Sequence, residues 1–427
     1  MKIKSIFIFL AAILCSFTAY SANGDLLNVL VEKGYISPEE ADQIEAQSGI
    51  DERLELTGTF LQTLTIGGLI QTQYENYSTD VDDEDNPSAY HGLRMRRLQL
   101  SFAADLAENW EAFINLDFAG DGTDEIDTAY IATDLNPDTK AYFGFLKAPY
   151  VYAESFGGTK TISDLAAQNF FIGQLGWGSG RTGVQLRGTL GEEDLFGYQL
   201  AITNQKGNSS NNGSANDLAY WGRMYFTPEM ENGSLILGAD LGIIPNDAAS
   251  ELSGIDTSQG ATTAANLQAR DAVSYSLYGD YSDDLFSILV EVTGASLEDA
   301  AASGTSPNES NANPIAFTIS PALKVTDKFE IVFGYSYIDS DGIGVAPGSV
   351  TGKAPAPTGT SKYWDKYDAF YVGGHYSIMG ADDVLLSVGY THARGEDVLS
   401  GDNGSAVAAD DKDVTVNGVE ARLQLLF

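Results

Sequence analysis

Cysteine is nearly missing from this chain of 427 residues: there is one, Cys15, in the first segment. With that segment removed, no disulfide or thiolate metal site is available. Basic residues are scarce, 23 Lys and Arg against 60 Asp and Glu, for a formal net charge of −37. A nucleic-acid partner is thereby excluded, because phosphate binding needs a basic surface. Beyond the first segment no apolar run approaches the ~18 residues of a membrane-spanning helix. The three histidines, His91, His375 and His392, lie far apart in sequence, and no serine is marked as a partner for any of them. Gly176-x-Gly178-x-Gly180 lacks a strand–helix context and carries no nucleotide meaning. The expectation is a protein that is not an enzyme and holds no cofactor or metal. The acidic runs Asp80-Val81-Asp82-Asp83-Glu84-Asp85 and Asp410-Asp411-Lys412-Asp413 match no calcium-loop spacing. They read as solvated loop charge, with Ca²⁺ or Mg²⁺ bridging to anionic lipid as the alternative.

Glycine and aromatics are abundant, 45 Gly with 22 Tyr and 20 Phe, a composition that suits strands and turns and weakens helices. From residue 62 onward the hydrophobic period is two. Trp110, Ala112, Ile114, Leu116 and Phe118 alternate with Glu111, Phe113, Asn115 and Asp117. Phe329, Ile331, Phe333, Tyr335 and Tyr337 alternate with Glu330, Gly334 and Ser336, and Val419, Ala421, Leu423, Leu425 and Phe427 with Glu420, Arg422 and Gln424. Such alternation marks strands with one apolar and one polar face. Sixteen strands are predicted, near 62–76, 93–104, 109–118, 126–134, 139–146, 181–190, 195–205, 217–227, 234–244, 270–281, 284–297, 314–325, 328–340, 367–379, 382–394 and 415–427.

Short and long connections alternate along the chain. A sandwich has no reason to collect its long loops at one end. A transmembrane barrel does, since its strands must close and its external loops are the long ones. Sixteen strands leave an aqueous lumen. Trp110, Phe196, Tyr281, Phe286, Phe329 and Tyr376 stand beside short turns, where an interfacial girdle belongs. A soluble secreted β-protein is the competing reading. It would need a second sheet to cover the outward apolar rows, and no repeat of solenoid or propeller length occurs. The predicted fold is all-β, an antiparallel transmembrane barrel spanning 61–427.

Two segments precede it. Residues 1–22 carry Lys2 and Lys4, an apolar run over 6–17 and small residues Ala19, Ser21 and Ala22, the three-part form of an export signal. Residues 23–60 are expected to hold a short periplasmic helical segment. Leu26, Leu27, Leu30 and Val31 repeat at helical spacing up to Gly34, and Ser37-Pro38-Glu39-Glu40 forms a capping start.

Residues 60–200 resemble the phosphate-selective porin O/P family. The matching motifs are Gly92-Leu93-Arg94-Met95-Arg96-Arg97-Leu98-Gln99-Leu100, Asn109-Trp110-Glu111, Asn115-Leu116-Asp117-Phe118-Ala119, Asp127-Thr128-Ala129-Tyr130 and Phe143-Gly144-Phe145-Leu146-Lys147-Ala148-Pro149-Tyr150. This chain has Gly-Phe-Leu-Lys where the family has Gly-x-Phe-Lys. The resemblance implies a sixteen-stranded homotrimeric channel in the outer membrane of a Gram-negative-type bacterium, passing small anions such as phosphate. It also implies contact with outer-membrane lipid and, through the terminal Phe427, with the barrel-assembly machinery. A non-conducting barrel serving as adhesin or surface scaffold, and a weakly selective porin, are the alternatives.

Parity assigns lumen-facing cations. Leu98, Leu100 and Phe102 on the lipid side place Arg97 in water; Lys140, Arg181, Arg187, Arg223 and Arg422 share lumen parity. Arg94 and Arg96 take lipid parity, so either they lie at the external rim or a bulge re-aims them. Arginine suits an anion path because its fork holds oxyanions and stays charged. The alternative is that these cations pair with luminal Glu111, Asp117, Asp280, Glu291, Glu330 and Glu420. The longest loop, near 148–180, carries Tyr150, Tyr152, Phe170, Phe171 and Trp177, and is expected to fold inward, with Lys147 and Lys160 as constriction cations.

Overall fold

The computed structural model describes residues 61–81, 88–119, 126–152, 169–174, 177, 180–191, 195–204, 218–245, 271–298, 311–341, 345, 363–378, 384–400, 407–410 and 413–427. The chain divides into two compact units, Met1–Leu56 with Thr63–Thr65, and Thr57–Gln62 with Ile66–Phe427. The expected export signal and the helical segment lie outside the described residues, as does Lys160.

Strands account for nearly all of the described chain. They are β1 (Leu61–Val81), β2 (Ser88–Leu106), β3 (Trp110–Asp117), β4 (Ile126–Asn136), β5 (Thr139–Lys147), β6 (Gly180–Leu190), β7 (Phe196–Asn204), β8 (Leu218–Phe226), β9 (Ser234–Pro245), β10 (Asp271–Ser282), β11 (Phe286–Glu298), β12 (Ile315–Thr326), β13 (Phe329–Asp339), β14 (Tyr363–Ser377), β15 (Val384–Ser400), β16 (Val407–Asp410) and β17 (Val414–Leu426). Each pairs with its neighbour in the chain, except that β15 passes over the four-residue β16 to pair with β17. β17 then returns to β1, from Leu69 opposite Leu426 to Val81 opposite Val414. The result is a closed antiparallel ring of sixteen strands. Closure leaves no unpaired edge, the condition for sheet in hydrocarbon.

The faces are inverted relative to a soluble protein. On β10, Val273, Tyr275 and Leu277 are exposed, Leu277 by 60%, whereas Ser274, Ser276 and Tyr278 are buried. On β1, Gln71, Gln73, Glu75, Tyr77 and Thr79 are all buried, with Tyr74 exposed between them. An apolar outside and a polar inside is the pattern that lipid selects.

At the short-turn end, Trp110, Phe196, Phe286, Phe329 and Tyr376 are exposed, Phe329 stands opposite Tyr376, and the Phe196 and Phe226 rings lie 5.1 Å apart. Asp283 organises one turn. It accepts hydrogen bonds from the Tyr281 hydroxyl and from the Leu285 and Phe286 amides, at 2.7, 2.8 and 2.7 Å. Those donors, Tyr281 first, hold its carboxyl below the usual carboxylate range.

Four strands run well past what the alternation implied: β1 has 21 residues, β2 19, β14 15 and β15 17. About 10 suffice to cross the hydrocarbon. The expected ends followed the apolar row, which on β1 gives way to the exposed polar Asn76, Ser78 and Asp80. Backbone pairing continues regardless, because the ladder needs a partner strand and not an apolar face.

Candidate functional site

The inward side chains of the ring line the lumen. Arg223 on β8 forms a fork with Asp240 on β9, Nε to Oδ1 and Nη2 to Oδ2, both 2.7 Å, and both residues are buried. Lys140 on β5 holds Glu111 of β3 at 2.8 Å and Asp134 of β4 at 3.6 Å. Lys147, at the far end of β5, lies 3.4 Å from Asp127. Arg422 donates to Gln73 across the closing seam at 2.9 Å. Arg181, 2% exposed, donates to the Asn204 carbonyl and lies over the Trp221 ring. Arg187 donates through Nε and Nη2 to Gln185 Oε1, at 3.2 and 2.8 Å, and its guanidinium rests 4.2 Å from the Tyr142 ring centre. Among the described residues it has no carboxylate partner.

Arg94 corrects the simple parity reading of β2. Its Nε sits 2.5 Å from Glu75, an inward residue of β1, while Leu93 and Met95 are exposed. Further along the strand Gln99 bonds Asp117 at 3.0 Å and Leu100 stands opposite Leu116. The inward position is therefore even at Arg94 and odd from Gln99 on. Alternation slips by one residue between Met95 and Gln99, as at a β-bulge. Of the two placements open to Arg94, the external rim or a bulge that re-aims it, the contact with Glu75 favours the second.

The segment after β5 reaches the other side of the wall. Tyr152, just beyond the strand, stacks on Tyr278 of β10 with ring centres 4.2 Å apart and planes 4° from parallel. Its amide donates to Glu291 of β11 at 2.7 Å and its hydroxyl to Asp280 at 3.1 Å. The Val151 amide donates to the Asp240 carboxylate. Val151 has φ 57°, a left-handed conformation that a β-branched residue rarely adopts. Tyr150, Phe170, Phe171, Trp177 and Trp221 form one buried aromatic cluster, with Tyr150 5.8 Å from Trp177 and 5.9 Å from Trp221. The strain at Val151 is held by contacts on both sides of it. Tyr152→Ala removes the stack and the hydroxyl bond, together about 2 kcal/mol of docking. The expected result is larger, noisier single-channel conductance in planar bilayers.

Several lumen residues escaped the sequence reading. Gln71 bonds Gln424 at 2.7 Å, Gln73 bonds Glu75 at 2.9 Å, and the Tyr77 hydroxyl donates to Glu420, making a polar row across the seam. The signal was the alternation Gln71-x-Gln73-x-Glu75-x-Tyr77 itself, a polar period of two. Asp240 was missed because only the register of β8 with β9 places it opposite Arg223. His375 does meet a serine: Nδ1 lies 2.9 Å from Ser387 Oγ, in a cross-strand row running Glu330, His375, Ser387, Arg422. No local motif marks that serine, since only strand register brings it there.

The barrel is similar to the anion-selective porin of Comamonas acidovorans, at TM-score 0.54 and 11% identity, over 85% of this chain and 99% of that one. It is also similar to the outer membrane channel DcaP of Acinetobacter baumannii, at TM-score 0.50 and 13% identity, over 86% and 97% of the two chains. At these identities the likeness is one of fold. No curated protein matches the chain. The model of the family described as phosphate-selective porin O and P matches residues 64–279, half of the sequence. With the closed sixteen-stranded ring and its polar interior, that match carries the assignment: the chain belongs to the phosphate-selective porin O and P family of channel proteins.

Proposed function

We propose that the protein is an outer-membrane porin, a water-filled passive channel for small solutes that favours anions, phosphate among them. The observation that carries the anion preference is Arg187, a lumen-facing guanidinium with no carboxylate partner among the described residues. Arg181 on the same strand, β6, and Arg97 on β2 are proposed to extend the inward arginines. A charge in a narrow pore acts at reduced dielectric and is screened less than one in bulk water. Lys147, at the end of β5, and Lys160, carried by the loop near 148–180, are proposed as further constriction cations. Lys140, Arg223 and Arg422 are proposed as wall charges that steer anions, the first two past the acids they hold. The outward apolar rows take outer-membrane lipid, and assembly as a homotrimer through the barrel-assembly machinery follows the family.

Three ion pairs favour a second reading. Lys140 with Glu111, Lys147 with Asp127 and Arg223 with Asp240 neutralise much of the wall, which would make a weakly selective porin. Reversal potentials across a KCl gradient separate the two, an anion-favouring value supporting the first and a near-zero value the second. The porin reading itself expects a heat-modifiable band: unheated, detergent-solubilised protein should migrate apart from boiled protein. A detergent-independent soluble monomer would overturn it.

A further inference from the structure

One side of the lumen carries a continuous row of flat groups, of which the channel reading uses Arg187 alone. Phe113 on β3 stacks with Tyr130 on β4, ring centres 5.4 Å apart and planes at 28°. Tyr130 meets Tyr142 on β5 edge-to-face at 5.2 Å. Tyr142 carries the Arg187 guanidinium of β6 at 4.2 Å. Phe113 stands opposite Tyr130, and Tyr142 opposite Gln185, which bonds Gln199 of β7 at 3.2 Å. The row therefore crosses five adjacent strands on their inward face, near the short-turn end. All four flat groups are half-buried, so each keeps part of its surface open.

Directly beside the row the wall is bare. Gly144 and Gly183 stand opposite each other at the next inward positions of β5 and β6. Gly144 has φ +149°, which L side chains rarely adopt, and a Cβ there would meet the Ala129 carbonyl at 2.3 Å. The backbone thus keeps a shallow shelf free of side chains against the rings. At the end of the row, Gln185 takes the Nε and Nη2 donors of Arg187, whereas Nη1 has no partner among the described residues. Acids are present at the same level, but Glu111 and Asp134 both lie on Lys140.

We propose that this row is a binding track for small carboxylates borne on a planar ring, the ring stacking along Phe113, Tyr130 and Tyr142 and the carboxylate ending on Arg187 Nη1. Offset stacking and edge-to-face contact are the favoured ring geometries at these spacings, and a planar guanidinium stacked on a ring still directs its free N–H groups at an anion. The proposal rests on the anion-favouring reading for its charged end only; the ring selectivity stands on the aromatic row alone.

The test uses the purified full-length protein in planar bilayers, with chloride carrying the current and benzoate, cyclohexanecarboxylate or acetate added as blocker. Benzoate is expected to reduce chloride conductance with saturation, at a half-blocking concentration about five-fold or more below that of either non-aromatic acid, the range one or two ring contacts provide. Tyr142→Leu should raise that concentration at least about five-fold, and Tyr142→Phe, which keeps the ring face, should restore it. A heat-modifiable band checks that each variant is folded, and Tyr130→Leu provides an independent second variant. Equal block by all three acids, or an unchanged benzoate half-block in both leucine variants, overturns the track. A channel that proves cation-selective in chloride while keeping ring-dependent benzoate block overturns the anion reading and leaves the track standing.

Discussion

Replacing Arg97 and Arg187 together with glutamate is expected to swing the reversal potential toward cations in a barrel that still assembles. The two substitutions exchange two positive charges for two negative ones on the inward face of β2 and β6. A single unit charge about 4 Å from a permeating ion contributes roughly 1 kcal/mol at the dielectric of water and about 4 kcal/mol at an effective value of 20. A change of only ~1.4 kcal/mol is ten-fold in relative permeability, so the anion-to-cation ratio should fall by at least about ten-fold. Arg187 sits in the lumen wall opposite Lys140 and Gln199, and Arg97 is proposed to face the same water, so backbone pairing is untouched. The Glu at position 187 should also repel the Glu111 and Asp134 carboxylates gathered on Lys140. If the double variant folds and conducts with its selectivity unchanged, these arginines are neutral wall elements and the anion-favouring reading is wrong.

Deleting Phe427, or replacing Gly68 with valine, is expected to abolish assembly with little effect on any channel that does form. Phe427 and Gly68 exchange both backbone hydrogen bonds, at 2.7 and 3.1 Å, and so complete the pairing of β17 with β1 at the short-turn end. The Phe427 ring lies across Gly68: a Cβ there would stand 2.5 Å from the ring and 2.8 Å from the Gln99 carbonyl of β2. Valine would have to displace two neighbouring strands at the point where the ring closes. An unclosed barrel exposes two strand edges to lipid, each unpaired backbone group costing several kcal/mol. The measurement is the yield of the heat-modifiable form in outer-membrane fractions. A Phe427 deletion that assembles at normal yield would show that closure does not depend on the terminal residue.

Sequence by itself determined the number of strands, the alternation of short and long connections and, apart from the first half of β2, the face each strand turns outward. Those features are local: the period of two and the turn residues are legible in any window of about ten residues. Hence Trp110, Phe196 and Phe329 stand where the turn-end girdle was expected, and strand ends such as those of β4, β6 and β9 fall within a residue or two of the expected ones. Tertiary structure decided what depends on the register between paired strands. Whether Arg223 meets Asp240, whether His375 meets Ser387, and whether Arg94 turns inward to Glu75 are set by cross-strand pairing and by a one-residue slip between Met95 and Gln99. The row from Phe113 to Arg187 has the same origin, since its members lie on four strands and share a face only once the sheet has aligned them. Periodicity places a residue inside or outside the barrel; only the register of the closed ring chooses its neighbours, because shifting a strand by two residues preserves every face and changes every contact.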